Sequence, residues 1–175
     1  RELADAAGAE RAGVRIDVGA KSNRVGTDAD GVNDANERNV ISGNLSNGVA
    51  IIGSGTDSNV VAGNFIGTDA TGTAGLANAQ RGVNIFSGAQ SNRIGTNADG
   101  INDAAERNII SGNTLDGVGI STIGTSLNIV AGNYIGLDVT GSLALGNGAS
   151  GVALFTGATS NTIGGTLPGA GNLIA

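Results

Sequence analysis

The chain has no cysteine, methionine, tryptophan or histidine, and its 175 residues include a single proline, three Phe and one Tyr. Each absence removes a class of chemistry. Without Cys there are no disulfides and no thiolate ligands or nucleophiles, although this does not fix the compartment. Without His, imidazole acid–base catalysis is excluded. Aromatics at 2% of residues are too sparse for an ordinary mixed core. No apolar run approaches the ~18 residues that a membrane-spanning helix needs, so membrane insertion is not expected. Positive charge is scarce too. Nine Lys and Arg stand against fifteen Asp and Glu, for a net charge of −6 and a pI of about 4.4. That balance argues against nucleic acid and anionic membrane surfaces as partners.

What the chain does have is 32 Gly and many regularly spaced Val, Ile and Asn. The spacing is a repeat, the first thing to seek in such a composition. GVRIDVGAKSNRVG begins at Gly13, GVNIFSGAQSNRIG at Gly82 and GVALFTGATSNTIG at Gly151, so both offsets are 69 (82 − 13 and 151 − 82). NVISGN at Asn39 returns as NIISGN at Asn108, and NVVAGNFIGTD at Asn59 as NIVAGNYIGLD at Asn128. Each unit splits into two related halves, because Gly13, Gly48, Gly82, Gly117 and Gly151 all open a Gly-Val-x-Ile/Leu segment, spaced 35, 34, 35 and 34. Alternation within such strands puts Val14 and Ile16 on one face and Arg15 on the other. No rung can bury its apolar face alone, so the rungs must stack.

The fold class expected is all-β: a right-handed parallel β-helix (a solenoid) of about five rungs on a 69-residue double-rung repeat. Residues 1–175 read as one such segment. Arg1 to Ala12 aligns with Ala70 to Arg81, inside a loop, and Ala175 with Ser42, in mid-rung. The expectation is therefore a segment of a longer array. Residues 1–12 form a partial loop or, as the second choice, a capping helix over Glu2 to Arg11. One register stays open: either Asn23 or Asn39 stacks on Asn59. Asn at strand starts has two readings, a side-chain amide ladder from rung to rung or simple tolerance of a left-handed turn. An outward row of Val40, Phe65, Ile109, Tyr134 and Leu173 is expected to be covered by loops rather than left as a contact surface.

Asn-x-Ile-x-Gly-Asn followed by Gly-Val-x-Ile resembles the parallel β-helix repeat of the pectate-lyase-like superfold. The IGTD and DGxND loops resemble those of large bacterial secreted or cell-surface repeat proteins. The resemblance covers Gly13 to Ala175 and implies an extracellular or cell-surface setting. It is specific for fold and weak for function, since the superfold hosts lyases, epimerases and adhesins. Lyases of this kind need clustered acidic calcium ligands beside a Lys or Arg on a strand face. The outward row Arg15, Ala50, Asn84, Gly119 and Ala153 holds no carboxylate, the one Lys is Lys21, and the row of Arg24 and Arg93 is completed by Val60, Ile129 and Thr162. No catalytic residue is therefore expected. The function expected is a structural or adhesive scaffold contacting a glycan or cell-surface protein and neighbouring repeats of its parent chain. The alternative is a carbohydrate-active enzyme of the same superfold.

One cofactor is a candidate, Ca2+. The loop GTDADGVNDANE offers Asp28, Asp30, Asp34 and Glu37, with Gly31 following Asp30. Oxygen ligands at alternate positions, a Gly at the sharp turn and a closing acid are what calcium loops use. The segment resembles thrombospondin type 3 repeats, although Gly26 falls where their first ligand stands. Its copy offers Asn97, Asp99, Asp103 and Glu106, and the third copy, GGTLPGAG from Gly164, offers none. The competing reading is a solvated Asp-Gly turn, with Glu37 and Glu106 simply lying beside Arg38 and Arg107.

Overall fold

Each stretch of 34 or 35 residues folds as one triangular turn of a coil. The computed structural model describes residues 11–175. The first rung holds β1 (Val14–Ile16), β2 (Arg24–Gly26) and β3 (Val40–Ile41). The second holds β4 (Val49–Ile52), β5 (Val60–Ala62) and β6 (Phe65–Ile66); the third, β7 (Val83–Phe86), β8 (Arg93–Gly95) and β9 (Ile109–Ile110). The fourth holds β10 (Val118–Ser121), β11 (Ile129–Ala131) and β12 (Tyr134–Ile135), and the fifth β13 (Val152–Phe155), β14 (Thr162–Ile163) and β15 (Leu173–Ile174). Corresponding strands pair in parallel, giving three five-stranded sheets in the orders β1-β4-β7-β10-β13, β2-β5-β8-β11-β14 and β3-β6-β9-β12-β15. Among the elements described from Gly13 on, helix is confined to one turn at Asp103–Glu106 and a 3-10 turn at Asp34–Asn36. Among the described residues no helix is long and apolar enough to cross a membrane. The helix expected over Glu2 to Arg11 lies outside the described residues up to Glu10.

Inward-pointing β-branched residues build the core. Val49, Ile51, Val83, Ile85, Val118 and Ile120 from the first sheet meet Val61, Ile94 and Val130 from the second and Ile66, Ile110 and Ile135 from the third, and all are fully buried. Burying each such side chain is worth roughly 1.5–3 kcal/mol. No rung provides this alone, so stability accumulates along the stack.

The register question resolves in favour of Asn23. Asn23 Nδ2 donates to Asn59 Oδ1 at 2.9 Å, Asn59 to Asn92 at 3.0 Å, Asn92 to Asn128 at 3.0 Å and Asn128 to Asn161 at 2.9 Å. Asn39 begins a separate ladder through Asn64, Asn108, Asn133 and Asn172. A third runs through Asn44, Asn78, Asn113 and Asn147. Each corner of the coil thus carries an amide ladder.

The outward row of the third sheet is as expected: Val40, Phe65, Ile109, Tyr134 and Leu173 align. Loops cover its middle. Phe65 is 3% exposed, with the Arg38 guanidinium 4.2 Å from its ring centroid on one side and Gly72 on the other. A Cβ on Gly72 would lie 2.9 Å from the ring, and φ there is +70°, so only glycine suits the position. Arg107, Tyr134 and Gly141 repeat the clamp one 69-residue unit on, with Arg107 4.1 Å from the Tyr134 centroid. The first sheet corrects another expectation. Asn84 does sit in the outward row, but it is 6% exposed and its Oδ1 is buried without a hydrogen-bond partner. Phe86 and Ala50 form a second small cluster on this side, with Ala12 and Ile52 packed against it. Arg81 lies across Gly119 beside Asn84, its Nε 2.8 Å from Asp116. Tertiary cover, invisible in strand alternation, buries the middle of this outward row, while Arg15 on the first rung stays exposed.

Candidate functional site: the corner loops

The two DG loops occupy the corner between the second and third sheets on the first and third rungs. Each is shaped by its own acids. In the first, Thr27 is fully buried; its hydroxyl accepts from Ala29 N at 2.9 Å and donates to Asp34 Oδ1 at 3.2 Å. Asp28 Oδ1 accepts from Asp30 N at 3.1 Å, and Asp30 Oδ1 from Val32 N at 2.7 Å. These are successive Asx turns, in which a short side chain replaces a backbone acceptor. Asp34 Oδ1 also accepts from Gly31 N at 3.3 Å, and Glu37 Oε2 from Asp28 N at 3.0 Å.

The second loop repeats the frame with different tension between its parts. Thr96 donates to Asp103 Oδ1 at 2.8 Å, Asn97 Oδ1 accepts from Asp99 N at 3.1 Å, and Asp99 Oδ1 accepts from Ile101 N at 2.8 Å. Glu106 is 3% exposed and bridges Asn97 N at 2.8 Å and the Arg93 guanidinium at 3.0 Å. Sequence reasoning set Arg93 in a row without acids; the loop, not the row, supplies its partner. In the first rung Arg24 instead donates to Thr27 O at 3.0 Å. The loops touch each other over the intervening rung, where Asn102 Nδ2 donates to Ala29 O at 3.0 Å.

Of the candidate ligands, Asp28, Asp30 and Asp34 each bring one carboxylate oxygen within 4.8 Å of the others. Glu37 meets this group through the Asp28 backbone. In the second loop Asn97 replaces the first acid, and its Nδ2 donates to Asp99 Oδ2 at 2.8 Å. Asp99 and Asp103 bond the backbone at Ile101 N and Gly100 N, and Glu106 is held by Arg93.

A second loop type leaves the third sheet on the even rungs and was not singled out from sequence as acid-organised. Asp69 accepts from the Thr71 hydroxyl at 2.9 Å, from Thr73 N at 3.1 Å and from Ala74 N at 3.3 Å. The Thr71 bond is the largest influence on its carboxyl, and with the backbone donors it holds the pKa below the usual value against a smaller effect of desolvation. Asp138 makes the same bonds to Thr140, Ser142 N and Leu143 N while 2% exposed. Desolvation is the largest single influence there and raises the pKa, yet the combined hydrogen bonds of Thr140, Leu143 and Ser142 leave it lowered. The signal was present as Asp-x-Thr-Gly recurring at 69 residues.

Comparison with family models, with curated proteins and with solved structures returns no match.

Proposed function

We propose that the chain is a structural or adhesive scaffold of a bacterial secreted or cell-surface protein that presents its corner loops to a glycan or a surface protein. One observation carries the reading. The apolar column and two of the amide ladders pass through every rung, while sequence variation is confined to loops at two corners, and the DG loops are braced against each other across a rung. Such a division suits a rigid support whose contacts lie in its inserts. Setting and resemblance to the pectate-lyase-like superfold belong to this proposal.

Calcium belongs to it as well and is assigned first to the Asp28, Asp30 and Asp34 group, because three carboxylate oxygens already converge there. The Asn97, Asp99, Asp103 and Glu106 loop is the weaker, since an amide replaces an acid and Glu106 is committed to Arg93. With so few carboxylates, dissociation constants of roughly 10⁻⁴ to 10⁻³ M are expected.

The test replaces Gly26–Arg38 and Gly95–Arg107 with the short third-copy connection Gly164–Gly171. Circular dichroism should remain that of a β-solenoid, while adhesion to immobilised glycans or cells, and calorimetric heat at millimolar calcium, should be lost. Asp30→Ala with Asp99→Ala should lose the heat alone. Undiminished adhesion after the exchange, or unsaturated product absorbing in the ultraviolet from pectate or alginate, would overturn the scaffold reading.

A further inference from the structure

The sequence carries five pairs in which a backbone nitrogen meets little hindrance in attacking the side chain before it: Asp30–Gly31, Asn47–Gly48, Asp99–Gly100, Asp116–Gly117 and Asn147–Gly148. Glycine has no Cβ to crowd the approach and turns freely to make it. The fold divides the five into two groups. The N–H groups of Gly48, Gly117 and Gly148 are bound across rungs, to Arg81 O at 2.9 Å, Ser150 O at 2.9 Å and Asn113 O at 2.8 Å. The side chains before them are held as well. Asn47 is fully buried, and its Oδ1 accepts from Arg81 N at 3.3 Å. Asp116 is buried and accepts from Arg81 Nε at 2.8 Å and Ser150 N at 3.1 Å. Asn147 belongs to the third amide ladder; its Oδ1 accepts from Asn113 Nδ2 at 2.9 Å and its Nδ2 donates to Ile110 O at 3.0 Å. Asp30–Gly31 and Asp99–Gly100 are exposed at loop tips instead. Their glycine N–H groups bond only weakly and within the loop, to Asp34 Oδ1 at 3.3 Å and Asp103 Oδ2 at 3.2 Å. The Asx turns from Asp30 to Val32 N and from Asp99 to Ile101 N each close a ring that contains both the carboxyl carbon and the glycine nitrogen.

We propose that Asp30 and Asp99 are sites of spontaneous backbone modification, converting through a succinimide to β-linked aspartate, and that the rung stack shields the other three pairs. Gly31 N bonds to Asp30 Cγ. The C–OH bond of the carboxyl, in its acid form, breaks, and that hydroxyl leaves with the amide proton as water. A water molecule then opens the five-membered imide. Opening at the main-chain carbonyl routes the backbone through the former side chain, so one water is lost, one is regained and the mass is unchanged. The same steps run from Gly100 N to Asp99. The product has an extra methylene in its main chain and carries its carboxylate on the α-carbon, so the Asx turn cannot re-form. In the first loop this takes the Asp30 carboxylate from its place beside Asp28 and Asp34. It also alters the chain next to Ala29, whose carbonyl Asn102 holds. The fold thereby inverts the intrinsic order. In an unfolded chain at neutral pH the two Asn–Gly pairs react first, because a carboxamide carbon is more open to attack than that of an ionised carboxylate. The inference rests on the exposure and bonding of these pairs and is independent of adhesion or calcium.

Asp116–Gly117 supplies a control of identical chemistry. The protein is incubated warm at neutral pH, folded in one arm and in concentrated urea in the other, and then mapped by peptide mass spectrometry. In the folded arm, peptides carrying residues 30 and 99 should each split into two chromatographic species of equal mass. The new species should accept a methyl group from an isoaspartyl methyltransferase. Conversion at Asp116 should be slower by roughly tenfold or more, since it proceeds only from a locally opened rung. Asn47 and Asn147 should stay intact. In urea the three aspartates should convert at similar rates, and Asn47 and Asn147 should outrun them, gaining the mass of an amide-to-acid exchange. Asp30→Glu should abolish conversion at that position and leave Asp99 unaffected. Asp116 converting in the folded protein as fast as Asp30 and Asp99 would overturn the proposal. So would unchanged peptides at 30 and 99, or Asn47 or Asn147 reacting as fast folded as in urea.

Discussion

Replacing Asn92 by leucine tests the ladders at their centre. Asn92 is fully enclosed, at 1% exposure. Its Oδ1 accepts from Asn59 N at 2.9 Å and Asn59 Nδ2 at 3.0 Å, and its Nδ2 donates to Gln90 O at 2.9 Å, to Thr56 O at 3.1 Å and to Asn128 Oδ1 at 3.0 Å. Leucine has similar volume and leaves Asn59 N–H and one carbonyl without partners in a site that water does not reach. Asn59 Nδ2 keeps Ala20 O, and Asn128 Oδ1 keeps the backbone N–H of residue 92. The two orphaned groups at about 1–3 kcal/mol each give a loss of roughly 2–6 kcal/mol, much of the 5–15 kcal/mol of a typical domain. Asn23→Leu is the control at the end of the same ladder. It removes one exposed side-chain bond, and Asn59 Oδ1 still receives Asn23 N at 3.0 Å, so about 0.5–1.5 kcal/mol should be lost. Urea unfolding followed by circular dichroism gives both values as midpoint shifts at constant slope. Equal losses at 92 and 23 would refute the ladder as a cooperative element and leave Asn as a turn-tolerant residue only.

Neighbouring positions on β7 should part company: Ile85→Ala costs about 2–5 kcal/mol by opening a cavity, while Asn84→Ala is neutral or stabilising, because it removes a buried oxygen that has no partner. Asn84→Asp, harmless if that row faced water, should instead destabilise, since Arg81 is already committed to Asp116; equal unfolding midpoints for all three would contradict the burial of this face. Asp69 and Asp138 have lowered pKa values in the fold, so their contribution is complete above the unfolded value of about 3.9 and is lost as pH falls through the lower folded values. Protection against hydrogen exchange at the Thr73, Ala74, Ser142 and Leu143 amides, taken relative to the intrinsic rate at each pH, should therefore fall on acidification, and in Asp138→Asn that pH dependence should vanish at Ser142 and Leu143 only.

Much of the fold was legible because stacking imposes identical demands on every rung. Gly-Val starts at 35 and 34 residues, inward Val and Ile, and the Asn59 column all follow from that repetition. The third ladder was legible too. Asn44, Asn78, Asn113 and Asn147 are spaced 34, 35 and 34, but Asn78 and Asn147 sit in segments whose surrounding residues diverge, which disguised them as variable loop. The ladder from Asn39 was harder to see, because the DG insert on alternate rungs makes its intervals 25, 44, 25 and 39. In the loops, composition showed the acids but not their work. Asp28 and Asp30 point carboxylate oxygens at nearby amides, and whether a side chain caps its own turn depends on local backbone angles. The Arg93–Glu106 pair and the burial of Asn84 depend on where a loop and a long side chain come to rest, and no periodicity carries that information.

Alternation of the inserts has a geometric consequence. DG loops recur on every second rung, so equivalent points on them lie about 9.6 Å apart at a strand spacing near 4.8 Å, while the Asp-x-Thr-Gly loops recur at the same pitch from another corner. The molecule is in effect a comb with two sets of teeth on one rigid spine. A ligand that is itself periodic can meet several teeth at once. Each further engagement would then be intramolecular, so on the proposed scaffold reading the number of repeats would set the strength of binding and the sequence of a single tooth its selectivity.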